Sequence, residues 1–302
     1  MSPGTQLVAR NRRLLASCWT WAGDAGPGGP LSSPVPWEQR VAAVGATGWE
    51  GVGLSHTDVA DYSRAPGLTV LRDRLHSVGI PRVELEMLRG WWATGEERRR
   101  SDRTRDELLD AATVLGVDVI KVGAPQARGV PPHLLPPWDR FVQEFGALAE
   151  RADGFGVNIA LEGMSHTNLP TLSAAIDLVR QASHPRAGLA LDVDQLVKCG
   201  DGDWTRLPGR LAGVPVFVVE LCDAPVDPTV ALDHGVGPRC LPGEGDLDIP
   251  GFIAAMRTTG WDGYWGVEII SDDLRVLPLD VGLRAVRTGI DRLFDVADAL
   301  AG

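Results

Sequence analysis

The chain has 302 residues, 44% hydrophobic and 23% charged, with a formal net charge of −11 and an isoelectric point near 5.0. Such proportions suit a globular protein that buries a core without covalent support, and the acidity excludes the basic face that a nucleic-acid partner needs. No segment approaches the roughly 20 uncharged apolar residues of a membrane span, so a protein with neither nucleic-acid nor membrane partners is expected.

Residues 1–12 are polar and aperiodic, which predicts a loose N-terminal tail ahead of a single domain over 13–302. MSPGTQLVARNRR carries no apolar run of the secretory kind. The four cysteines lack paired spacing, which fits reduced thiols and a cytoplasmic location. RLLASCWTW (13–21) is the first strand candidate, and the glycine- and proline-rich stretch after it can only be loop. Residues 37–47 read as a helix. WEGVGLSHTD (49–58) is a second strand with His56 and Asp58 at its exit, and 68–78 is a helix stopped by Gly79.

PRVELEML (81–88) is a third strand with Glu84 and Glu86 on one face, and Glu86 is expected to pair with a loop arginine such as Arg64 or Arg89. The charged run GEERRRSDRTR reads as loop or first turn before a helix carrying Leu108, Leu109, Ala112 and Leu115. VDVIKVGAP (117–125) is the fourth strand, with Lys121 inside an apolar run. An amphipathic helix follows over 138–155.

GVNIALEGM (156–164) is a continuous apolar run, as expected of a buried parallel strand, and it ends on Glu162. Three later runs repeat the pattern: AGLALDVDQ ends near Asp192, VPVFVVELCDA carries Glu220 and Asp223, and YWGVEII carries Glu268. Helices are expected over 169–182, 250–259 and 281–300, with a long irregular loop over 223–246. Eight strands alternating with helices, and no linker between them, imply an α/β fold closed into a (β/α)8 TIM barrel. Such barrels place their chemistry at the carboxyl ends of the strands. Glu162, Asp192, Glu220 and Glu268 are therefore expected to converge on one metal ion. An all-oxygen shell favours a hard cation, Mn2+ first and Mg2+ second, with Lys121 and Arg239 offsetting the excess negative charge.

The order Glu162, Asp192, a polar residue at 220, and GPRCLPGEGDLDIPGFIAAMRTTGWDGYWGVEI ending on Glu268 resembles the sugar phosphate isomerase/epimerase superfamily, the xylose-isomerase-like TIM barrels. The most specific piece is R-x-x-P-G-E-G, at Arg239, Pro242, Gly243, Glu244 and Gly245. The resemblance implies a divalent metal (manganese, cobalt or magnesium) on Glu162, Asp192 and Glu268, with Glu220 where the family's H-x-x-D has histidine. It also implies Glu162 and Glu268 as a base and acid pair beside a metal-chelated carbonyl. Lys121 is then placed to stabilise the developing oxyanion, and Arg239, His56, Gln195, Trp19 and Trp92 are expected to contact substrate.

Met164 stands where the superfamily's dehydroshikimate dehydratases carry a catalytic histidine, and Gln195 where many relatives carry a second one. The leading expectation is accordingly an isomerase or epimerase of a small polyhydroxylated carbonyl compound, working through an enediolate. The alternatives are a dehydratase or lyase on a keto-polyol or keto-acid, and a ligand-binding barrel without turnover. Relatives of this kind often pair or tetramerise, so a homo-oligomer is compatible with the resemblance. No G-x-S-x-G elbow or Ser-His-Asp order supports a serine hydrolase.

Overall fold

A computed structural model of the chain describes residues 11–226 and 239–300. The eight strands are β1 (Leu14–Ala16), β2 (Gly51–Ser55), β3 (Arg82–Leu88), β4 (Val119–Val122), β5 (Asn158–Glu162), β6 (Ala187–Asp192), β7 (Val216–Leu221) and β8 (Trp265–Val267). They close into a barrel in sequence order, with every pair parallel. The helices are α1 (Trp37–Ala46), α2 (His56–Arg64), α3 (Leu68–Ser77), α4 (Gly95–Leu115), α5 (Trp138–Asp153), α6 (Leu172–Ala182), α7 (Val193–Lys198), α8 (Leu207–Leu211), α9 (Ile249–Thr258), α10 (Asp272–Arg275) and α11 (Leu279–Leu300). Among the described residues, no helix is long and apolar enough to cross a membrane.

Several local expectations change. The first strand is shorter than 13–21: it stops at Ala16, and a 3-10 turn, Cys18–Trp21, follows it. His56 and Asp58 do not lie in a strand exit but in the first turn of α2. Ser55 and Asp58 form a reciprocal capping box there, which satisfies two otherwise orphaned backbone donors. The charged run after residue 94 is helical from Gly95, braced by same-face pairs such as Arg98–Asp102 at 2.9 Å. Of the expected loose tail, residues 1–10 lie outside the described residues. Asn11 and Arg12 are anchored: the Asn11 amide donates to the Gly263 carbonyl at 2.6 Å, and Arg12 pairs with Asp295 at 2.8 Å.

Two apolar layers follow from the alternation of side chains along each strand. Outward positions such as Leu85, Ile120, Leu161, Leu191 and Val219 join the main core beneath the helices. Inward, Val119, Ala160, Ala190 and Val218 form a separate small plug. Two residues further along those four strands come Lys121, Glu162, Asp192 and Glu220, so the charged layer rests on the plug at the carboxyl ends. Inward glycines make room for it. A Cβ on Gly53 would stand 3.0 Å from a Glu86 carboxylate oxygen, and one on Gly266 would stand 2.9 Å from Glu220 Cγ.

Candidate active site

At the floor of the barrel mouth, Lys121 is buried between two acids. Its Nζ lies 2.5 Å from Glu86 Oε2 and 2.7 Å from Glu220 Oε1. The Ser17 hydroxyl donates to the same Glu220 oxygen at 2.6 Å, and the Cys18 amide donates to Glu86 Oε1 at 3.2 Å. Burial opposes a charged lysine, but Glu220 and Glu86 outweigh it and hold the ammonium protonated well above its ordinary range.

Arg239 is the second cation. Its Nη1 donates to Glu268 Oε2 at 2.7 Å and to the Glu268 carbonyl at 2.8 Å, while Nη2 donates to Asp192 Oδ2 at 3.1 Å. The segment carrying it is tied down by Asp223, whose carboxylate accepts from the amides of Gly243 at 2.8 Å and Gly245 at 3.1 Å. The PGEG turn is thus a clamp around Asp223. A Cβ on Gly245 would fall 2.1 Å from Asp223 Oδ1, so glycine is needed there for close approach.

Five buried carboxylates (Glu86, Glu162, Asp192, Glu220, Glu268) therefore face two buried cations. Burial and the neighbouring acids hold the Glu162 carboxyl well above the ordinary carboxylate range, against the pull of Lys121. Burial also raises Glu220 and Glu268. Uncompensated negative charge in a low-dielectric site must be neutralised by protons or by a further cation.

The donor set fits a divalent cation. Ligand oxygens of Glu162, Asp192 and Glu220 lie within 4.8 Å of one another. Glu220 Oε2 is buried with no hydrogen-bond partner, and among the described residues Glu162 has neither a hydrogen bond nor an ion pair. Carboxylate oxygens are the ligands that hard cations take. The expectation that four acids meet at one point is corrected, however. Glu268 falls in a second triad with Glu86 and Glu220, because Arg239 sits between Glu268 and Asp192.

Above this floor opens a cleft of about 460 Å³, lined by Glu86, Glu162, Glu268 and Arg239 below and by Trp19, His56, Arg89, Met164, His166 and Gln195 among the walls. A larger hollow of about 680 Å³, walled by Arg13, Arg82 and Tyr264 among others, lies at the opposite end of the barrel and contains none of these acids.

Most of the residues singled out in the sequence come together here, in altered surroundings. Asp192 caps α7, accepting from the Gln195 amide at 2.9 Å, while its other oxygen takes Arg239. Gln195 lies in the first turn of α7, not in a strand. His56 reaches the cleft edge with Nε2 2.6 Å from Glu107 Oε2. Lys121 is not in the cleft wall, so the expectation that it faces an oxyanion is corrected: it lies beneath, committed to Glu86 and Glu220. Arg239 lines the cleft, but both terminal nitrogens are occupied by Asp192 and Glu268 instead of being free for a substrate anion. Trp92 is absent from the cleft; it packs edge-on against Trp91 at 5.1 Å and Phe141 at 6.2 Å. Glu86 pairs with Lys121 rather than with Arg64, which pairs with Asp61 at 3.1 Å, or with Arg89.

Two residues outside the expected substrate-contacting set also line the cleft. His166 is buried in the cleft wall, and its Nδ1 has no partner. Burial, with Arg89, Arg128 and Lys198 nearby, pushes its pKa down, so the imidazole is neutral at pH 7. Arg89 is exposed at the cleft mouth and has no ion-pair partner among the described residues. An Arg following the apolar end of a strand, and a His in the loop after Glu162, were the available signals.

The model of one family, the xylose isomerase-like TIM barrel, matches residues 39–295. The chain belongs to this family. The chain is 28% identical over 253 residues to a 3-dehydroshikimate dehydratase of Pseudomonas putida, a match covering 82% of this chain and 38% of the relative. The chain thus spans less than half the length of that curated relative. Among solved structures, a xylose isomerase-like TIM barrel/4-hydroxyphenylpyruvate dioxygenase fusion protein superposes with a TM-score of 0.75 at 23% identity, over 94% of this chain and 43% of the other. An L-ribulose 3-epimerase superposes with a TM-score of 0.73 at 15% identity, over 96% and 97% of the two chains.

Proposed function

We propose that this family member is a divalent-metal-dependent dehydratase acting on a small hydroxylated keto-acid, with 3-dehydroshikimate the first compound to test. The observation that carries the reading is the pairing, in one cleft, of a partner-free Glu162 on an acidic floor with a neutral His166 and an unpaired Arg89 in the wall. The similarity to a dehydratase over 82% of the chain supports the same reading over the isomerase or epimerase expected from the sequence. The absent histidine at Met164 weighs less against it, because His166 supplies an imidazole to the same cleft.

Glu162, Asp192 and Glu220 would hold the cation, with Mn2+ favoured and Mg2+ next; cobalt is a further option. When bound, it would supply Lewis-acid polarisation of a carbonyl oxygen. His166, neutral and lining the cleft, accepts the proton from the carbon next to that carbonyl. The C–H electron pair becomes the new double bond as the β-hydroxyl departs, and the imidazolium returns its proton to the leaving oxygen, so that one water is released. Arg89 holds the substrate carboxylate at the mouth by a charge-assisted hydrogen bond. Arg239 fixes Asp192 and Glu268 in place through its hydrogen bonds to both, Trp19 and Gln195 shape the pocket, and His56, held by Glu107, borders it.

The test is incubation of Mn2+-loaded protein with 3-dehydroshikimate, following the appearance of an ultraviolet-absorbing conjugated product. Epimerisation of keto sugars with no absorbance change would return the assignment to the isomerase class. A second reading, a ligand-binding barrel without turnover, draws on the Lys121–Glu220 pair, which fills part of the charged layer with the protein's own cation. Protein purified without chelator that contains no metal would favour it. The partner in either case is a small molecule, and a homo-oligomer is compatible with both.

A further inference from the structure

The charged layer has two halves that share Glu220. One is Glu162–Asp192–Glu220; the other is Glu86–Glu220–Glu268, whose ligand oxygens also lie within 4.8 Å of one another. The second half differs in one respect: Lys121 Nζ already touches two of its three acids, at 2.5 Å and 2.7 Å. The buried Oε2 of Glu220, with no partner, is the oxygen that Lys121 leaves over.

We propose that Lys121 is a built-in cation occupying a second divalent-cation position, so that it confines the protein to one metal ion and positions Glu220 to offer its remaining oxygen to that ion. An ammonium and a dication compete for the same oxygens, and two like charges within one shell of carboxylates repel strongly where the dielectric is low. Lys121 also offsets the charge of Glu220, which lets an acid serve where a neutral ligand would otherwise suffice. Lys121 acts through Glu220 and does not touch substrate, so it is a positioning residue. Removing it exposes a complete triad of oxygen ligands of the kind that hard cations accept.

The proposal rests on reading Glu162–Asp192–Glu220 as a divalent site, and one experiment separates the two. Mn2+ bound per chain is measured by elemental analysis after equilibration with Mn2+ and removal of free metal, for wild type, Lys121→Met, and Lys121→Met with Glu86→Gln. One Mn2+ in wild type, two in Lys121→Met and one in the double variant are expected. Manganese spins in Lys121→Met should then couple magnetically. None in wild type overturns the metal reading itself. One in wild type and one in folded Lys121→Met overturns this proposal alone, as does two in wild type. Lys121→Met leaves buried acids uncompensated, so it is refolded in Mn2+. If it stays unfolded there while the double variant folds, a dication cannot replace the ammonium, and the proposal fails.

Discussion

Glu162 and Arg239 are both buried and ionisable, yet their surroundings predict opposite responses to substitution. Arg239 is bonded to Glu268 and Asp192, so Arg239→Met strands two carboxylates and should cost about 3–5 kcal/mol. Glu162 has no such partner and is held well above the ordinary carboxylate range by burial, so Glu162→Gln removes a cost rather than a bond. Urea unfolding in EDTA should find Glu162→Gln as stable as wild type or more so, while its Mn2+ binding and turnover fall by orders of magnitude. A loss of stability comparable to Arg239→Met would mean that the Glu162 carboxylate has a structural partner. His166 supplies a second residue-level test. Burial and the arginines Arg89 and Arg128 lower its pKa, so kcat/KM should rise with pH along a limb centred below the ordinary histidine value of about 6.5. In Arg89→Met that limb should move to higher pH, and KM for a carboxylate substrate should rise roughly tenfold or more. A limb unmoved by the arginine would separate the base from His166.

At the scale of an element, β3 places two acids on one inward face, and the barrel treats them differently. Glu86 meets Lys121, whereas Glu84, one layer lower, meets Arg82 at 3.3 Å and is raised by burial from 4.5 to about 7. A carboxyl with a raised folded-state pKa binds more protons folded than unfolded. Its stabilisation is therefore present below pH 4.5 and lost as pH rises to about 7, a span worth roughly 3 kcal/mol for a single group. Glu84→Gln should flatten that part of the stability curve and raise stability at pH 8; an unchanged pH slope would show that Glu84 ionises normally. The strand itself was legible in the sequence, as were the acids Glu162, Asp192, Glu220 and Glu268, because a charge closing an apolar run marks a strand end. The partner of Glu86 was not: Lys121 lies on the neighbouring strand, and pairing across a barrel depends on register. The helix α2 carries a readable signal in Ser55 and Asp58, three apart, but the apolar run before them extends the strand pattern over it. Trp92 could not have been told from Trp19 in advance, since packing against Phe141 and lining a cleft call for the same residue type.

For the molecule as a whole, the net charge of −11 and the buried acid layer act in the same direction. Burial raises Glu162, Glu220 and Glu268. In metal-free protein their contribution to stability is accordingly present below the ordinary carboxylate range and declines as pH rises through the raised values. A bound dication requires Glu162 and Glu220 ionised, so metal affinity and metal-derived stability should grow with pH. At a hundredfold excess over its dissociation constant, one ion adds about 2.7 kcal/mol. With an unfolding entropy of about 2.1 cal/mol/K per residue, this corresponds to a rise in Tm of roughly 4 °C for a chain of this length. Thermal melts with Mn2+ and with EDTA should therefore diverge between about pH 5 and pH 8. The gap should vanish in Glu162→Gln and persist in Glu84→Gln, which lies outside the triad. A gap equally wide at pH 5 and pH 8 would place the ion on groups already ionised at pH 5, outside the buried layer at the mouth of the barrel.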